Sequence, residues 1–325
     1  MDLDLQLVQG VKSGSKAALA RAITLVESAL PNHRAQAQAL IAECLNHPSI
    51  SIRIAVTGTP GVGKSTFINK LGTYLIENYN KKVAVLAIDP SSKRSGGSIL
   101  GDKTRMPELT INPNAFIRPS ASGDALGGVA SKTRETILLC EAAGFDVIIV
   151  ETVGVGQSET TVHSMVDFFL LLLQPGAGDE LQGIKKGIVE MADLLVVNKA
   201  DGDKIGLAKE SVSEYRKALS LLHPVRKNWK VAVESCSSIS GEGLLDVWSH
   251  ISEYELLTKD SGAFDIQRKA QLKAWFDEEF NRMLQSFINE NEELNTVKQR
   301  LEKQIQDGSI SPSLAAIQLL KKLTS

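Results

Sequence analysis

The sequence predicts an α/β fold: a mostly parallel β-sheet with helices on both faces, extended by further helices at both ends of the chain. Between residues 51 and 255, short apolar runs alternate with glycine-bearing loops and helix-like stretches. The runs are almost continuously apolar, which is typical of parallel strands buried on both faces. They cover Arg53–Val56, Val83–Ile88, Ala115–Ile117, Val147–Val150, Phe168–Leu173, Leu194–Val197 and Lys230–Val233. Outside this region, apolar residues recur with the period of a helix.

Residues 1–50 are predicted to form an N-terminal helical extension. Ser15 is a suitable N-cap for a helix with one apolar face, and a second helix is predicted over residues 34–45, after a break at Pro31. The apolar face of the first helix consists of Leu19, Ala22, Ile23 and Val26.

Residues 258–325 are predicted to form a C-terminal helical arm, and residues 51–257 the central domain. The arm carries two apolar stripes, and Pro312 begins a last short helix. The stripes are Phe276, Phe280, Met283, Leu284 and Phe287, and then Leu294, Val297, Leu301 and Ile305. Two or three amphipathic helices cannot bury their apolar faces alone. The stripes therefore predict either self-association, which makes this a dimerisation arm, or docking on the same chain.

Composition argues against several classes of function. The 325 residues carry a formal net charge of -2, with 5% aromatic residues and 3 cysteines. This balance disfavours a nucleic-acid binder that works by positive charge and base stacking. Cys44, Cys140 and Cys236 are too far apart for a zinc site and fit reduced thiols in a cytoplasmic protein. We expect no secretory signal, because residues 1–4 are acidic and no apolar core follows them, and the longest apolar run, residues 168–173, is too short to span a membrane.

A phosphate-binding loop follows the first predicted strand. Residues 58–65 match G-x-x-x-x-G-K-[ST] in full and precede a helix that begins near Ser65. Glycines let backbone N–H groups turn toward phosphates, and the helix N-terminus adds partial positive charge. Lys64 should reach the β- and γ-phosphates, and the Ser65 hydroxyl should ligate Mg²⁺. The predicted phosphate-binding residues are Gly58, Thr59, Pro60, Gly61, Val62, Gly63, Lys64, Ser65 and Thr66. The sequence therefore predicts a P-loop NTPase fold that binds a nucleoside triphosphate.

The base is predicted to be guanine. Asn198, Lys199 and Asp201 form an N-K-x-D pattern directly after the predicted strand 194–197. The Asp201 carboxylate can accept hydrogen bonds from N1–H and the exocyclic amine of guanine, which adenine does not offer in that geometry. The loop after the next strand is expected to support the base, although its serines also suit an ordinary turn. The loop consists of Ser235, Cys236, Ser237 and Ser238, and its candidate binding residues are Ser235, Cys236 and Ser237.

Three acidic residues are candidates for the metal and for hydrolysis. Glu151 ends the strand 147–150 in E-T-V-G, where GTPases usually place D-x-x-G. Asp89 ends the strand 83–88, and Asp102 lies in the polar loop that follows it. Carboxylates at these positions suit Mg²⁺, directly or through water, although either aspartate also suits an ordinary loop.

Hydrolysis by the isolated protein is predicted to be slow. The position after Gly154 holds Val155, where Ras-like GTPases carry the glutamine that orients water, and Gln157 is a weaker candidate for that role. A further polar loop, residues 174–180, follows the strand 168–173 at the edge of the sheet where α/β folds bind ligands. This loop either takes part in the site or is simply solvated.

Together these motifs resemble those of the MeaB/ArgK family of P-loop GTPases, the chaperones of adenosylcobalamin-dependent methylmalonyl-CoA mutase. The resemblance covers the chain essentially end to end. It rests on G-T-P-G-V-G-K-S-T at 58–66, A-I-D-P-S-S at 87–92, G-D-K-T-R-M at 101–106, E-T-V-G-V-G-Q-S-E at 151–159, Q-P-G-A-G-D-E-L-Q-G-I-K-K-G at 174–187 and N-K-A-D at 198–201.

The resemblance implies a homodimer, held largely by the C-terminal helices, that binds the mutase, gates cofactor loading with GTP hydrolysis and protects the mutase from inactivation. Residues 176–187 match the family's third switch, which senses the mutase. The implied catalytic residues are Lys64, Asp102 and Glu151, and the implied Mg²⁺ residues are Ser65, Asp89, Asp102 and Glu151. The segment 235–237 is less stereotyped than the other motifs.

Two other functions compete with this interpretation. A metallochaperone GTPase would typically carry a histidine-rich tract or a cysteine motif, whereas the 5 His and 3 Cys here are scattered. An ATP-dependent kinase linked to transport of basic amino acids, an old label in this family, would not need the N-K-x-D pattern. A partitioning-type ATPase is disfavoured because Thr59 stands where it would carry a second lysine.

Overall fold

The apolar runs of the central region form one parallel sheet in the computed structural model of the chain. The structure describes residues 4–28, 30–45, 51–88, 104–119, 126–152, 158–176, 186–220 and 228–323. Within these ranges the sheet has seven strands in the order β3-β2-β4-β1-β5-β6-β7. The strands are β1 Ile52–Gly58, β2 Val83–Ile88, β3 Ala115–Pro119, β4 Val147–Thr152, β5 Phe168–Leu173, β6 Leu194–Val197 and β7 Ala232–Ser235.

The helices between and beyond the strands cover the sheet and form both ends of the chain. They are α1 Leu5–Lys12, α2 Lys16–Glu27, α3 Pro31–Leu45, α4 Lys64–Tyr79, α5 Pro107–Ile111, α6 Leu126–Ala142, α7 Ser158–His163, α8 Lys186–Met191, α9 Ile205–Ser220, α10 Leu244–Asp260, α11 Ala263–Glu290, α12 Glu292–Gln306 and α13 Pro312–Leu323, with a 3₁₀ turn at Gly202–Lys204. The α/β fold class predicted from the sequence is confirmed.

The position of β1 places the phosphate-binding loop at the centre of the sheet. β1 pairs in parallel with β4, from Ile52 opposite Val147, and with β5, from Ile54 opposite Phe168. All the ladders run in parallel, so the carboxyl ends of the strands lie at one edge. The loops that follow β1, β4, β5 and β6 therefore meet at that edge, which is where α/β sheets bind ligands.

Apolar side chains are buried on both faces of the sheet, which explains why the strands are almost continuously apolar. Along β1, Ile54 and Val56 belong to the core that includes α4 and α10, and Ala55 belongs to the core that includes α1, α2, α3 and α6. The apolar strand residues thus remove surface from water on one side of the sheet or the other. This burial contributes about 25 cal/mol of folding free energy per Å² of apolar surface.

The N-terminal helices follow the sequence prediction with one difference. The Ser15 hydroxyl accepts a hydrogen bond from the backbone N–H of Ala18 at 3.3 Å, as expected of an N-cap. The predicted apolar face of α2 is buried, and α2 and α3 pack on α6. The next helix begins at Pro31 rather than at residue 34. Proline suits the first turn of a helix because the N–H that it lacks would have no partner within the helix there.

Strand β7 also differs from its prediction. It spans Ala232–Ser235 instead of residues 230–233, because its ladder with β6 begins where Ala232 lies opposite Leu194. The shift brings the end of β7 next to the end of β6, where the two loops predicted to hold the base begin.

The chain divides into two units, residues 1–271 and residues 272–325. In the second unit α12 packs on α13, with Leu294, Leu301 and Ala315 buried and an ion pair from Lys322 to Glu293 at 2.6 Å. The predicted start of the last helix at Pro312 is observed. Across the described part of the chain, no helix has both the length and the apolarity that crossing a membrane requires.

Candidate functional site

The phosphate-binding loop connects the central strand β1 to the N-terminus of α4. Two of its glycines have no room for a side chain. A Cβ on Gly58 would lie 2.5 Å from the backbone oxygen of Leu172, and one on Gly63 would lie 2.9 Å from Asn198 Nδ2. Both glycines also have positive φ angles, 153° and 95°, which other residues rarely adopt. The close approach to β5 and to the loop after β6 therefore requires glycine at these two positions.

Lys64 is buried and bends back over its own loop. Its Nζ donates hydrogen bonds to the backbone oxygens of Gly58 at 2.9 Å and Thr59 at 3.2 Å. Burial lowers the pKa of Lys64 below its ordinary value, the Glu151 carboxylate opposes that shift, and the positive charge of Arg105 adds to it. A cation held in this way lies beside the space that the loop encloses, where it can neutralise phosphate oxygens.

Ser65 and Glu151 lie next to each other beside the phosphate-binding loop. The Ser65 hydroxyl donates to Glu151 Oε1 at 2.8 Å, and Glu151 lies buried near the end of β4. The next residue of that strand, Thr152, donates to the hydroxyl of Thr57 at 2.8 Å and so joins β4 to β1. A hydroxyl and a carboxylate side by side offer two of the hard oxygen ligands that Mg²⁺ prefers, so the residues present fit that ion.

A cavity of about 440 Å³ opens above the phosphate-binding loop. Its walls come from the loop and the start of α4, from the ends of β2 and β4, and from one residue before α5. The lining side chains that carry chemistry are Lys64, Ser65, Thr66, Arg105, Glu151 and Thr152. The volume lies in the usual range of small-molecule sites, about 300–1,000 Å³, and two cations line it.

The N-K-x-D loop is hydrogen-bonded to the phosphate-binding loop. The side-chain amide of the buried Asn198 donates to the backbone oxygen of Val62 at 2.9 Å, and Lys199 Nζ donates to the backbone oxygen of Gly61 at 2.6 Å. Ser238 holds the other end of the amide, because its hydroxyl donates to Asn198 Oδ1 at 2.6 Å. The loop predicted to read the base and the loop predicted to hold the phosphates therefore form one hydrogen-bonded unit.

The loop after β7 supports Asp201. The Ser237 hydroxyl donates to Asp201 Oδ2 at 2.5 Å, and the backbone N–H of Ala200 donates to the oxygen of Cys236 at 3.0 Å. Cys236 is buried, and burial raises the pKa of its thiol to about 12, so it stays protonated. Ser235 is the last residue of β7, opposite Val197. The three residues thus lie beside the N-K-x-D loop as predicted from the order of the motifs.

Several predicted residues lie outside the described residues. These include Asp89 and Asp102, the two aspartates predicted to act on the metal. The segments 153–157, with Val155 and Gln157, and 177–185 also lie outside them. Of the predicted polar loop 174–180, Gln174, Pro175 and Gly176 are described, and the Gly176 N–H donates to the Ser211 hydroxyl at 2.9 Å. Within the described residues, no group of three His, Cys, Asp or Glu is placed to hold a metal ion.

The structure adds one residue that the sequence interpretation did not assign to the site. Arg105 lines the phosphate cavity, although in the sequence it is only one member of the G-D-K-T-R-M block. Its position depends on how distant segments pack, so it carries no local signal. Ser238 belongs to the loop predicted to support the base, and the structure gives it a specific contact, the anchoring of Asn198.

The parallel sheet, the phosphate-binding loop with its buried lysine, and the attached N-K-x-D loop define a nucleotide-binding protein of the P-loop GTPase class. A family profile described as methylmalonyl-CoA mutase-associated GTPase MeaB matches residues 19–293. The chain belongs to this family, in agreement with the resemblance seen in its motifs. GTP hydrolysis, and binding of GTP and GDP, follow from that membership.

Individual relatives agree with the family assignment. A putative GTPase of Caulobacter vibrioides is 49% identical over 320 residues, covering 98% of this chain and 97% of the relative. The mitochondrial methylmalonic aciduria type A homolog of Caenorhabditis elegans is 44% identical, covering 97% of this chain and 82% of the relative. A crystal structure described as a LAO/AO transport system kinase is 34% identical, covers 100% of both chains and has a TM-score of 0.79.

Proposed function

We propose that this GTPase is a chaperone of adenosylcobalamin-dependent methylmalonyl-CoA mutase, which gates loading of the cofactor and protects the mutase from inactivation. The observation that carries the proposal is the attachment of the N-K-x-D loop to the phosphate-binding loop, through Asn198 and Val62, in a chain of the mutase-associated GTPase family. In the proposed function Asp201 reads guanine, and this attachment supports a fixed spacing between Asp201 and the bound phosphates. Guanine occupancy and phosphate state are then sensed by one connected unit.

The described residues support particular roles in hydrolysis. Lys64 holds the β- and γ-phosphates, the α4 N-terminus adds partial positive charge, and Asp201 accepts hydrogen bonds from guanine. Mg²⁺ would be held at Ser65 and reached by Glu151, where it would neutralise charge on the phosphate oxygens. Asp89 and Asp102 complete the proposed acidic set, in which Asp102 and Glu151 act with Lys64 in catalysis. Water attacks the γ-phosphorus, the bond to the β–γ bridging oxygen breaks, and GDP and phosphate leave.

The same chain is proposed to act as a homodimer through residues 258–325. In the second unit, four large apolar side chains on successive turns of α11 are exposed to solvent. They are Phe276, Phe280, Met283 and Phe287, and the first two rings stack at 6.1 Å. A continuous apolar face of this kind usually marks an interaction surface. Light scattering should give twice the chain mass for the wild type and the single chain mass for a Phe276→Asp, Phe280→Asp double variant.

One experiment tests the function as a whole. The full chain is assayed for GTP and ATP turnover, alone and with a cobalamin-dependent methylmalonyl-CoA mutase, and for co-elution with that mutase. We expect preference for GTP, turnover below about 1 s⁻¹ for the isolated chain, a change in turnover on adding the mutase, and co-elution. The chaperone role adds a second readout, the GTP dependence of adenosylcobalamin loading and of mutase inactivation.

A Lys64→Ala variant is the matched control, since it should lose turnover while keeping its outer surface. Indifference to the mutase in both turnover and elution would remove the chaperone role and leave the GTPase activity standing. Preference for ATP would favour a kinase activity, the activity for which the similar LAO/AO transport system kinase is named. Metal transfer, the other alternative, would require metal binding by the scattered cysteines and histidines.

A further inference from the structure

Arg105 is fixed next to the phosphate-binding loop by the residues that follow it. Met106 and Leu109 are fully buried in the core that contains α4. The Leu109 N–H donates to Asn69 Oδ1, in the second turn of α4, at 3.1 Å, and a Cβ on Gly72 would approach Leu109 Cδ1 to 2.9 Å. The short helix α5 therefore packs tightly on the helix that begins at Lys64. This packing sets the position of the Arg105 backbone relative to the phosphate-binding loop.

Arg105, unlike Met106 and Leu109, lies outside that core and at the phosphate cavity. It is exposed, and it lines the cavity together with Lys64, Ser65 and Glu151. Its charge acts at Lys64, where it adds to the lowering of the pKa that burial causes and Glu151 opposes. The neighbouring cation Lys70 pairs with Glu108 at 3.8 Å, whereas Arg105 forms no hydrogen bond or ion pair with any described residue.

Lys64 and Arg105 line one cavity and repel each other, and the Glu151 carboxylate in the same lining offsets only part of their positive charge. Lys64 donates hydrogen bonds to two backbone oxygens of its own loop. Arg105 has no hydrogen-bond partner among the described residues. A guanidinium offers five N–H donors in a planar fork that matches phosphate oxygens, which the compact ammonium of lysine does not. The arrangement therefore suits a ligand with several anionic oxygens beyond those that the phosphate-binding loop contacts.

We propose that Arg105 is a catalytic residue of the GTPase reaction, which binds the terminal phosphate of GTP in cis. As water bonds to the γ-phosphorus and the bond to the bridging oxygen breaks, negative charge increases on the γ-phosphate oxygens and the leaving β-phosphate. The guanidinium stabilises that charge by donating two hydrogen bonds, and it keeps its own proton throughout. The attacking water gives its proton to phosphate, and the products are GDP and inorganic phosphate.

The test compares Arg105→Ala and Arg105→Lys with the wild-type full chain. Three quantities are measured: the single-turnover rate of GTP hydrolysis at saturating nucleotide, the Kd for GDP, and the Kd for a non-hydrolysable GTP analogue. We expect Arg105→Ala to lower the rate about 10²-fold, as removal of one transition-state donor does. The Kd for GDP should change less than about threefold, because GDP lacks the terminal phosphate. Relative to Arg105→Ala, the Arg105→Lys variant should recover more of the wild-type affinity for the GTP analogue than of the wild-type hydrolysis rate.

Lys70→Ala is the control. It also removes a cation from the contact between α4 and α5, but this cation pairs with Glu108 and does not line the cavity. Its rate should stay within about twofold of the wild type. The unchanged Kd for GDP shows that the variants are folded. A rate for Arg105→Ala within about threefold of the wild type would overturn the proposal. So would an equal loss of rate and of GDP affinity, because the arginine would then act on nucleotide binding in general.

Discussion

Arg268 and Asp167 form a two-pronged ion pair at the amino-terminal edge of the sheet, opposite the nucleotide site. Arg268 Nε donates to Asp167 Oδ1 at 2.9 Å, and Nη2 donates to Oδ2 at 2.7 Å. The aspartate also accepts from the backbone N–H of Arg53 in β1, at 2.8 Å, and directly precedes β5. The pair thus joins α11 to the starts of the two strands whose far ends carry the phosphate-binding loop and residues 174–176.

Replacing Arg268 by methionine should destabilise the chain by about 3 kcal/mol, the usual cost of removing one partner from a buried pair. The Asp167 carboxylate is almost fully buried and would lose its cationic partner. Glu141 also accepts from Arg268, at 3.3 Å, and would lose one of the positive charges that balance its own charge. Urea denaturation followed by circular dichroism measures the change in the free energy of unfolding.

Arg282→Met is the control for that prediction, because Arg282 forms its ion pair with Glu279 within one exposed helix surface. A surface pair contributes at most about 1 kcal/mol, so the control should unfold close to the wild type. Equal destabilisation by the two variants would contradict a special role for the buried pair.

Stability should fall in acid partly through Glu141. Burial by itself would raise the pKa of this carboxyl, but the hydrogen bonds and charges of Arg53 and Arg268, with a hydrogen bond from Ser51, outweigh it, so the pKa lies below its ordinary value. A pKa that is lower in the folded than in the unfolded state gives stability that is complete above the unfolded value, about 4.3. That stability is lost as the pH falls through the folded value.

The measurement is the free energy of unfolding between about pH 7 and about pH 3 for the wild type and Glu141→Gln. The variant should be less stable at neutral pH, and the gap should narrow in acid, because only the wild type loses the charge at this position. Using the difference between the two curves removes the contribution of all other carboxylates. A constant gap across the range would show that Glu141 does not titrate in this way.

The features of the fold that could be predicted from the sequence are those with a local sequence pattern. The strands of the sheet, the phosphate-binding loop and the N-K-x-D loop each lie within a few residues of sequence, where period and spacing are visible. The Arg268–Asp167 pair spans 101 residues, and the hydrogen bond from Asn198 to Val62 spans 136. Nothing near either residue marks its partner, because both contacts arise only when the sheet has formed. Arg105 was missed for the same reason.

Replacing Asn198 by alanine should weaken binding of both GTP and GDP about 10- to 100-fold. The variant removes the donor to Val62 and the acceptor for Ser238, each within the buried link between the two loops, and each lost buried hydrogen bond costs about 1–3 kcal/mol. Titration of fluorescent GTP and GDP analogues gives the two dissociation constants.

Asn78→Ala provides the comparison for this prediction. Asn78 also donates from Nδ2 to a backbone oxygen at 2.9 Å, that of Tyr74, but on the exposed surface of α4. Its nucleotide affinities should match the wild type. If Asn198→Ala also bound both nucleotides normally, the two loops would position the nucleotide independently of their hydrogen bonds.

Replacing Asp201 by asparagine should change the base that the protein accepts from guanine to xanthine. The aspartate is held by the Ser237 hydroxyl at 2.5 Å, so an asparagine of the same shape should take its place. The asparagine presents an amide NH₂ where guanine presents its own amine, whereas xanthine presents a carbonyl oxygen there and can accept. The affinity for GTP should fall about 10²-fold, since one hydrogen bond to guanine is replaced by a contact between two NH₂ donors and the other loses its charged acceptor, and the affinity for XTP should rise.

Competition binding with GTP, XTP and ATP, followed by turnover of each, distinguishes this from a general loss of binding. Asp203→Asn makes the same chemical change on an exposed residue of the adjoining 3₁₀ turn and should keep the preference for GTP. Loss of GTP affinity without any gain for XTP would mean that Asp201 supports the loop but does not contact the base. A gain for XTP requires direct contact, because only a group that faces the base at that edge distinguishes an amine from a carbonyl.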